Sequence, residues 1–413
     1  VPGFAFCGRR SDRRAGRLPS RCRAEARRST HALAVGIYIT DPVLHEAVGQ
    51  RECWPARNGR STEAIMFATG CEPFMLSNRP DNPFVSMIDR HLMPNQISPT
   101  GRSTVLLIGA SGLLGRAVAA CLARESSLTL LATIRNPQSA GAKLLALPPE
   151  NIAELDVLDQ PSLERIFETH RPATVILCAA ERRPDVCERD PAAARAINVT
   201  TPARIGALAT RYGAWTLGIS TDYVFDGKAA PYREDATPNP LNIYGRTKLE
   251  GEAALLAASP LSCVLRLPLL FGPIADWSES AVTSLVPAVV ASSRPGADAV
   301  GMDAWAIRYP TWTPDVAQVI RDLTLRHLAG DTVTGIRHWS GEEPMTKYDI
   351  AQRIAAALGV HASLAPITQP TDATPRPYDC HLDAARVRAL GIDYATPFDT
   401  ALRTVLRDAP RAL

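Results

Sequence analysis

The sequence predicts an α/β protein built on a doubly wound parallel sheet, with a smaller, mainly helical C-terminal lobe. Three observations predict it: a glycine-rich turn between an apolar run and a helix, strand-length apolar runs alternating with helical periodicity, and a Tyr-x-x-x-Lys pair on a later helix. Residues 104–108 (Thr-Val-Leu-Leu-Ile) make the first strand, Gly109 follows at once, and 113–122 read as a helix. Strands two to five are expected at 128–134, 151–156, 174–180 and 215–220. Between them, Pro161 suits the first position of a helix over 162–170, and 191–212 reads as one long helix. Such alternation implies right-handed crossovers and therefore parallel strands. After Gly272 the regularity loosens. Helices are expected at 280–291, 314–328, 346–358, 383–390 and 398–407, with a strand-like stretch at 335–340. The chain thus divides into residues 1–100, a nucleotide-binding domain over 104–272, and a lobe over 273–413 that interleaves with it and lies over the C-terminal edge of the sheet.

Of 413 residues, 46% are hydrophobic and 21% charged, ordinary for a globular chain able to bury a large core. No apolar run approaches the ~18 residues of a membrane helix, so a soluble protein is expected, and reduced thiols would place it in the cytoplasm or an organelle stroma. The net charge of +3 conceals an asymmetry: residues 1–100 hold 14 Arg, no Lys and 9 acidic residues, against 31 basic and 33 acidic in the remainder. A nearly neutral folded portion gives no electrostatic case for nucleic acid or an anionic membrane. The basic stretch from Arg9 to Arg28 has little apolar periodicity. Residues 1–100 are expected to be disordered, either a transit peptide for organelle import or translated sequence foreign to the mature protein, since the first methionine is Met66. The nine cysteines include no CxxC pair and the eight histidines show no ligand spacing, so no metal is expected and the thiols are read as reduced.

The turn Gly109-Ala-Ser111-Gly112-Leu113-Leu114-Gly115 follows a strand and opens a helix, the Rossmann arrangement. Glycines keep such a turn tight and let backbone N–H groups approach a pyrophosphate, which the helix N-terminus favours. Arg135 stands about 20 residues further on, at the end of the second strand. An acid there suits the ribose 2′-hydroxyl of NAD(H), whereas an arginine suits a 2′-phosphate. NADP(H) is therefore expected, NAD(H) being the poorer fit, with Arg116 as a second cation; a solvated loop arginine is the alternative. Asp156 and Val157 end the third strand, and Cys178, Ala179 and Ala180 the fourth, where adenine and ribose would approach; Asp156 serves equally as a turn residue. Leu267 completes the expected lining.

Tyr244-Gly-Arg-Thr-Lys248 places a phenol and an ammonium on one helix face. A phenol at its ordinary pKa of ~10 is a poor acid–base catalyst at neutral pH, and a nearby cation lowers that value. Thr221, 23 residues before Tyr244 and just past the fifth strand, offers a hydroxyl to a substrate carbonyl. Asn198 is expected mid-helix, either facing solvent or steadying Lys248 through water. His338 and Trp339 fit a core or a pocket wall.

The 109–115 turn with Thr221, Tyr244 and Lys248 resembles the extended short-chain dehydrogenases. Ile219-Ser-Thr-Asp-Tyr-Val-Phe-Asp-Gly227, Pro231-Tyr-Arg-Glu-Asp235 and Asn239-Pro-Leu-Asn-Ile-Tyr-Gly-Arg-Thr-Lys-Leu-Glu-Gly-Glu252 are similar to the dTDP-4-dehydrorhamnose reductase group, which includes the methionine adenosyltransferase beta subunits. Cys178-Ala-Ala-Glu-Arg-Arg-Pro-Asp185, Arg308-Tyr-Pro310, Trp339-Ser-Gly341 and Met345-Thr-Lys-Tyr-Asp349 are similar to the beta subunits in particular. That resemblance implies an NADP(H)-holding regulator of S-adenosylmethionine synthesis, partnered by the methionine adenosyltransferase catalytic subunit. The alternative it implies is an NADPH-dependent reductase of a 4-keto dTDP-sugar. There Tyr244 protonates the oxygen, Thr221 polarises it, and Lys248 holds the tyrosine's pKa down.

Overall fold

The computed structural model describes residues 101–371 and 373–409, and, before them, the backbone of two short strands, Ala64–Ile65 and Phe74–Met75, paired antiparallel. The expectations for residues 1–100 otherwise fall outside the described residues.

Seven strands form one sheet: β1 (Ser103–Ile108), β2 (Leu128–Ile134), β3 (Ile152–Glu154), β4 (Thr174–Leu177), β5 (Trp215–Thr221), β6 (Cys263–Leu267) and β7 (Gly335–His338). They lie in the order β7-β6-β5-β4-β1-β2-β3, every pair parallel. The order reverses between β1 and β4, and at such a point a crevice opens outside the carboxyl ends of the strands.

The principal helices are α1 (Leu113–Leu122), α2 (Gln160–His170), α3 (Thr201–Tyr212), α4 (Ile243–Ala258), α5 (Val286–Ser292), α6 (Thr313–Leu328), α7 (Lys347–Leu358) and α8 (Phe398–Asp408). Both faces of the sheet are covered, which is why its strands read as unbroken apolar runs. Val105 and Leu107 pack with Val118 and Leu122 of α1 and Ile320 and Leu323 of α6. Leu106 and Ile108, on the opposite face, pack with Phe167 of α2 and Ile205 and Leu208 of α3. A third core joins α5, α7 and α8 around Phe271, Ile354 and Phe398.

The first two strands and α1 fall where the sequence places them. β3 and β4 end sooner, at Glu154 and Leu177, so Asp156, Val157 and 178–180 lie in the loops beyond. β6 was not anticipated: Arg266 interrupts its short apolar run, and only the folded chain supplies Glu252 to neutralise it. The long helix over 191–212 is divided into Pro191–Arg195, a π-helical turn Ala196–Thr200, and α3. Short strands accompany the helices of the lobe. Its stretch at 335–338 joins the main sheet as β7, and Val300–Asp303 pairs with Leu364–Ile367 and Leu270–Phe271 with Thr311–Trp312, both parallel. The helix expected at 280–291 shortens to a 3-10 turn, Thr283–Leu285, followed by α5, and that at 383–390 to Ala385–Arg388. Among the described residues no helix is long and apolar enough to cross a membrane.

The start of α1 lies tight against the end of β1. A β-carbon on Gly115 would stand 2.2 Å from the Gly109 carbonyl oxygen, whereas one on Gly112 would meet nothing nearer than 3.5 Å. Gly115→Ala is therefore expected to destabilise the protein by about 2 kcal/mol or more, in the manner of an overpacked core. Gly112→Ala should cost less than about 1 kcal/mol, the difference between glycine and alanine at a helix N-cap. Urea unfolding of the two variants side by side checks the contrast.

Candidate functional site

Three glycines of the 109–115 turn answer to different constraints. Gly109 has φ +87° and Gly115 admits no side chain, so both serve the protein's own packing. Gly112 has no such reason, and it is exposed. It is also the N-cap of α1, where no side chain caps the helix and no acidic residue occupies the first turn. Leu114 is buried in the sheet core, and Leu113 packs with the lobe. The turn thus offers bare N–H groups and the positive end of a helix dipole to an anion. The residues present fit a pyrophosphate.

Around this turn the expected lining is only partly assembled. Arg135 is exposed just past β2 and makes no hydrogen bond or ion pair among the described residues. Arg116 is not a second cation for a phosphate: it is buried, pairs with Glu279, and donates to the carbonyls of Ser111 (2.8 Å) and Pro273 (3.1 Å). Asp156 is exposed and accepts from the N–H of Leu158 at 3.0 Å, so it acts as a turn residue. Val157 and Ala179 are half-buried and pack at the edge of the core below, while Ala180 is exposed. Cys178 is half-buried, and burial pushes its thiol up to about 12, too high for a thiolate at neutral pH. Leu267 is fully in the core, paired in register with Thr221.

Thr221, Tyr244 and Lys248 converge at the carboxyl end of β5. Helix α4 can reach that end because a β-carbon on Gly245 would lie 2.2 Å from the Tyr223 carbonyl oxygen; only glycine lets the helix come so close. Thr221 is buried, accepts from the N–H of Tyr223 (3.2 Å) and donates to Asp222 Oδ1 (3.1 Å). Lys248 Nζ donates to the Ile219 carbonyl at 2.7 Å. The expectation that this ammonium makes the phenol more acidic is not met. Burial raises the Tyr244 pKa above its ordinary value, only partly offset by its hydrogen bond with Thr221. Burial likewise lowers Lys248, to about 8, with Glu252 pulling the other way. Both groups are therefore drawn toward their neutral forms.

Asn198 neither faces solvent nor reaches Lys248 directly. It is buried in the π-helical turn, accepts from the N–H of Glu181 and donates to the Glu181 carbonyl, each at 3.0 Å, and donates to Thr247 Oγ1 at 3.2 Å. It thereby ties the loop after β4 to α4.

Several residues escaped sequence reading. Glu252 and Arg266 form a buried pair at 2.7 Å; Ser220 donates to the same carboxylate, and Arg266 approaches His338 Nε2 at 3.4 Å. His338, which the sequence reading places with Trp339 in a core or a pocket wall, is held by the Tyr232 carbonyl and, buried, has its pKa pushed down to about 3, so both are core residues. The one signal in the sequence was the four-residue spacing of Lys248 and Glu252. In the lobe, a cavity of about 500 Å³ is lined by Met302, Asp303, Trp305, Lys347, Thr371 and Arg376 among others. Three cation- or ring-bearing side chains there come from separate segments, which no local pattern connects.

Residues 103–410 match the family described as the RmlD substrate binding domain. Methionine adenosyltransferase 2 subunit beta of Xenopus tropicalis is 41% identical over 303 residues, 73% of this chain and 86% of that protein. The dTDP-4-dehydrorhamnose reductase of Aggregatibacter actinomycetemcomitans is 30% identical over 300 residues, 70% of this chain and 93% of the enzyme. Among solved structures, a dTDP-4-dehydrorhamnose reductase from Clostridium acetobutylicum superposes with TM-score 0.62 at 25% identity, covering 74% of this chain and 98% of that one. A Bacillus anthracis reductase, solved in complex with NADP, shares the fold with TM-score 0.60 at 21% identity, over 75% of this chain and 100% of that one.

Asp222 offers a direct test of the site's electrostatics. It is buried beside Thr221, and burial raises its pKa to about 6, with Arg308 and the Thr221 hydrogen bond opposing. The folded protein thus holds this proton more tightly than the unfolded chain. The stability it contributes is full below about pH 4 and is lost as pH rises through about 6. Asp222→Asn keeps an acceptor for Thr221 but cannot ionise. Relative to wild type, it should gain on the order of 1–3 kcal/mol between pH 4 and pH 7, read from denaturation at each pH.

Proposed function

The chain belongs to the family of the RmlD substrate binding domain, and from that membership we propose that it is an NADP(H)-holding regulator that associates with a methionine adenosyltransferase catalytic subunit. What carries this reading is its identity to the beta subunit along most of that protein's length. The 109–115 turn supports the nucleotide: Gly112 leaves room above an uncapped helix N-terminus. Arg135, exposed and unpaired among the described residues at the end of β2, supports a 2′-phosphate and hence NADP(H) over NAD(H). Asp156, Val157, Cys178, Ala179 and Ala180 border the same crest, and Asn198 fixes the loop that carries the last three.

A second reading, reduction of a 4-keto sugar nucleotide, is favoured by the convergence of Thr221, Tyr244 and Lys248 on one strand end. A bound nicotinamide supplies hydride. Tyr244, kept protonated by its burial, donates its hydroxyl proton to the developing alkoxide. Thr221, its one hydroxyl hydrogen turned from Asp222 Oδ1, donates a hydrogen bond to the same oxygen, and Lys248, when charged, favours the tyrosinate that remains. The lobe cavity, with Lys347, Arg376 and Trp305, suits a phosphorylated ligand carrying a ring.

Two measurements decide between these readings. Gel filtration of the purified protein with a methionine adenosyltransferase catalytic subunit should yield a stable complex. NADPH should bind more tightly than NADH, and Arg135→Ala should erase at least about tenfold of that preference, roughly one charge-assisted hydrogen bond. Gly112→Ala should weaken both nucleotides alike. In the reductase reading, NADPH oxidation with a 4-keto dTDP-sugar should fall about 10²–10⁴-fold in Tyr244→Phe. Absence of turnover in the wild type, with a complex formed, removes the second reading.

A further inference from the structure

We infer that Asn242 is a positioning residue that ties the wall of the lobe cavity to the first turn of α4, so that the placement of that wall is felt at Tyr244. Asn242 is only 1% exposed, and both ends of its amide are used. Its Oδ1 accepts from the N–H of Gly245 at 2.9 Å, capping α4. Its Nδ2 donates to the Pro375 carbonyl at 2.9 Å. Thr374, Pro375 and Arg376 line the cavity.

The wall has little structure of its own. No helix or strand is described between Leu364–Ile367 and Ala385–Arg388. Residues 375–379 are instead held from outside: by Asn242, by Arg308 donating to the Pro377 carbonyl (3.1 Å), and by the Asp379 N–H donating to the Gly227 carbonyl (3.2 Å). A second tie runs in parallel. Glu188 Oε1 accepts from the N–H of Ile243 at 2.7 Å, and Asp185, on the same Pro184–Arg189 helix, faces Arg376 at 3.6 Å. Positions 242 and 243 at the helix start are thus joined to 375 and 376 in the wall.

The residue type matters. An N-cap needs only an acceptor, which serine or aspartate would supply equally well. Donating to the Pro375 carbonyl at the same time needs an amide. Tyr244 lies two residues beyond this junction. Lys248 lies one turn further on and is anchored separately on Ile219. A displaced wall should therefore disturb the phenol while leaving the lysine and the 109–115 turn in place. The consequence for turnover rests on the reductase reading above; the mechanical tie does not.

The test compares the full chain with Asn242→Ser, which keeps the cap but is too short to reach Pro375. The melting temperature should stay within about 3 °C, since serine caps as well as asparagine. Hydrogen–deuterium exchange should quicken about tenfold or more both in the peptide covering 374–379 and in that covering the start of α4. Faster exchange at 374–379 alone, or in neither peptide, overturns the inference. With NADPH and a 4-keto dTDP-sugar, kcat should fall about tenfold or more while the KM for NADPH stays within about twofold, a signature of misplacement rather than lost cofactor binding. Unchanged kcat in a variant of an active wild type also overturns it. A wild type that turns over no keto sugar removes the reductase reading, and the exchange result then decides the inference by itself.

Discussion

Less than one methyl group's width separates α4 from the turn that ends β5, and the candidate site depends on that closeness. Gly245 lies against the Tyr223 carbonyl, and Gly251, nearly two turns on, would place a β-carbon 1.9 Å from the Asn198 carbonyl. Tyr244, just before the first glycine, and Lys248, between the two, are thereby carried onto the end of the strand that bears Thr221. A side chain at either glycine would lift the helix and separate the phenol from the threonine. The geometry of the candidate site is therefore set by two absences of a side chain as much as by three polar groups.

The same closeness dries the site. Lys248, Asp222 and Tyr244 are all shifted toward their uncharged forms, with burial the largest cause in each. Behind them, Glu252 and Arg266 face each other as an ion pair, with Ser220 and His338 completing the network. A buried pair of this kind adds little net stability against an apolar substitute, yet breaking it by removing one partner would strand the other charge. Its location between α4, β5, β6 and β7 lets it fix the lateral position of the helix, on the same face that carries Lys248 and Tyr244 at four and eight residues before Glu252.

Sheet and lobe are joined where function would need them to be. Arg116, one residue past the glycine turn, pairs with Glu279 and reaches the Pro273 carbonyl, so the turn and the first loop of the lobe are braced together. Asn242 makes a comparable connection between the start of α4 and Pro375 of the lobe. An arginine beside a glycine-rich turn suggests a ligand contact in the sequence; its partner, 163 residues away, converts it into a structural brace.

Much of the sheet was legible from local pattern, because a strand buried on both faces is an unbroken apolar run and a βα turn needs glycines wherever it occurs. β1, α1 and β2 and the Tyr244–Lys248 spacing follow from that alone. What local pattern could not supply were contacts between distant segments. β6 was hidden by Arg266, whose charge is tolerable only opposite Glu252. The role of Asn198 depends on a π-helical turn that aims it inward, and that of Asn242 on Pro375, which lies 133 residues on. The acidity expected of Tyr244 failed for a related reason. Spacing on a helix sets which groups are neighbours, but the burial that governs their charge is decided by everything packed around them.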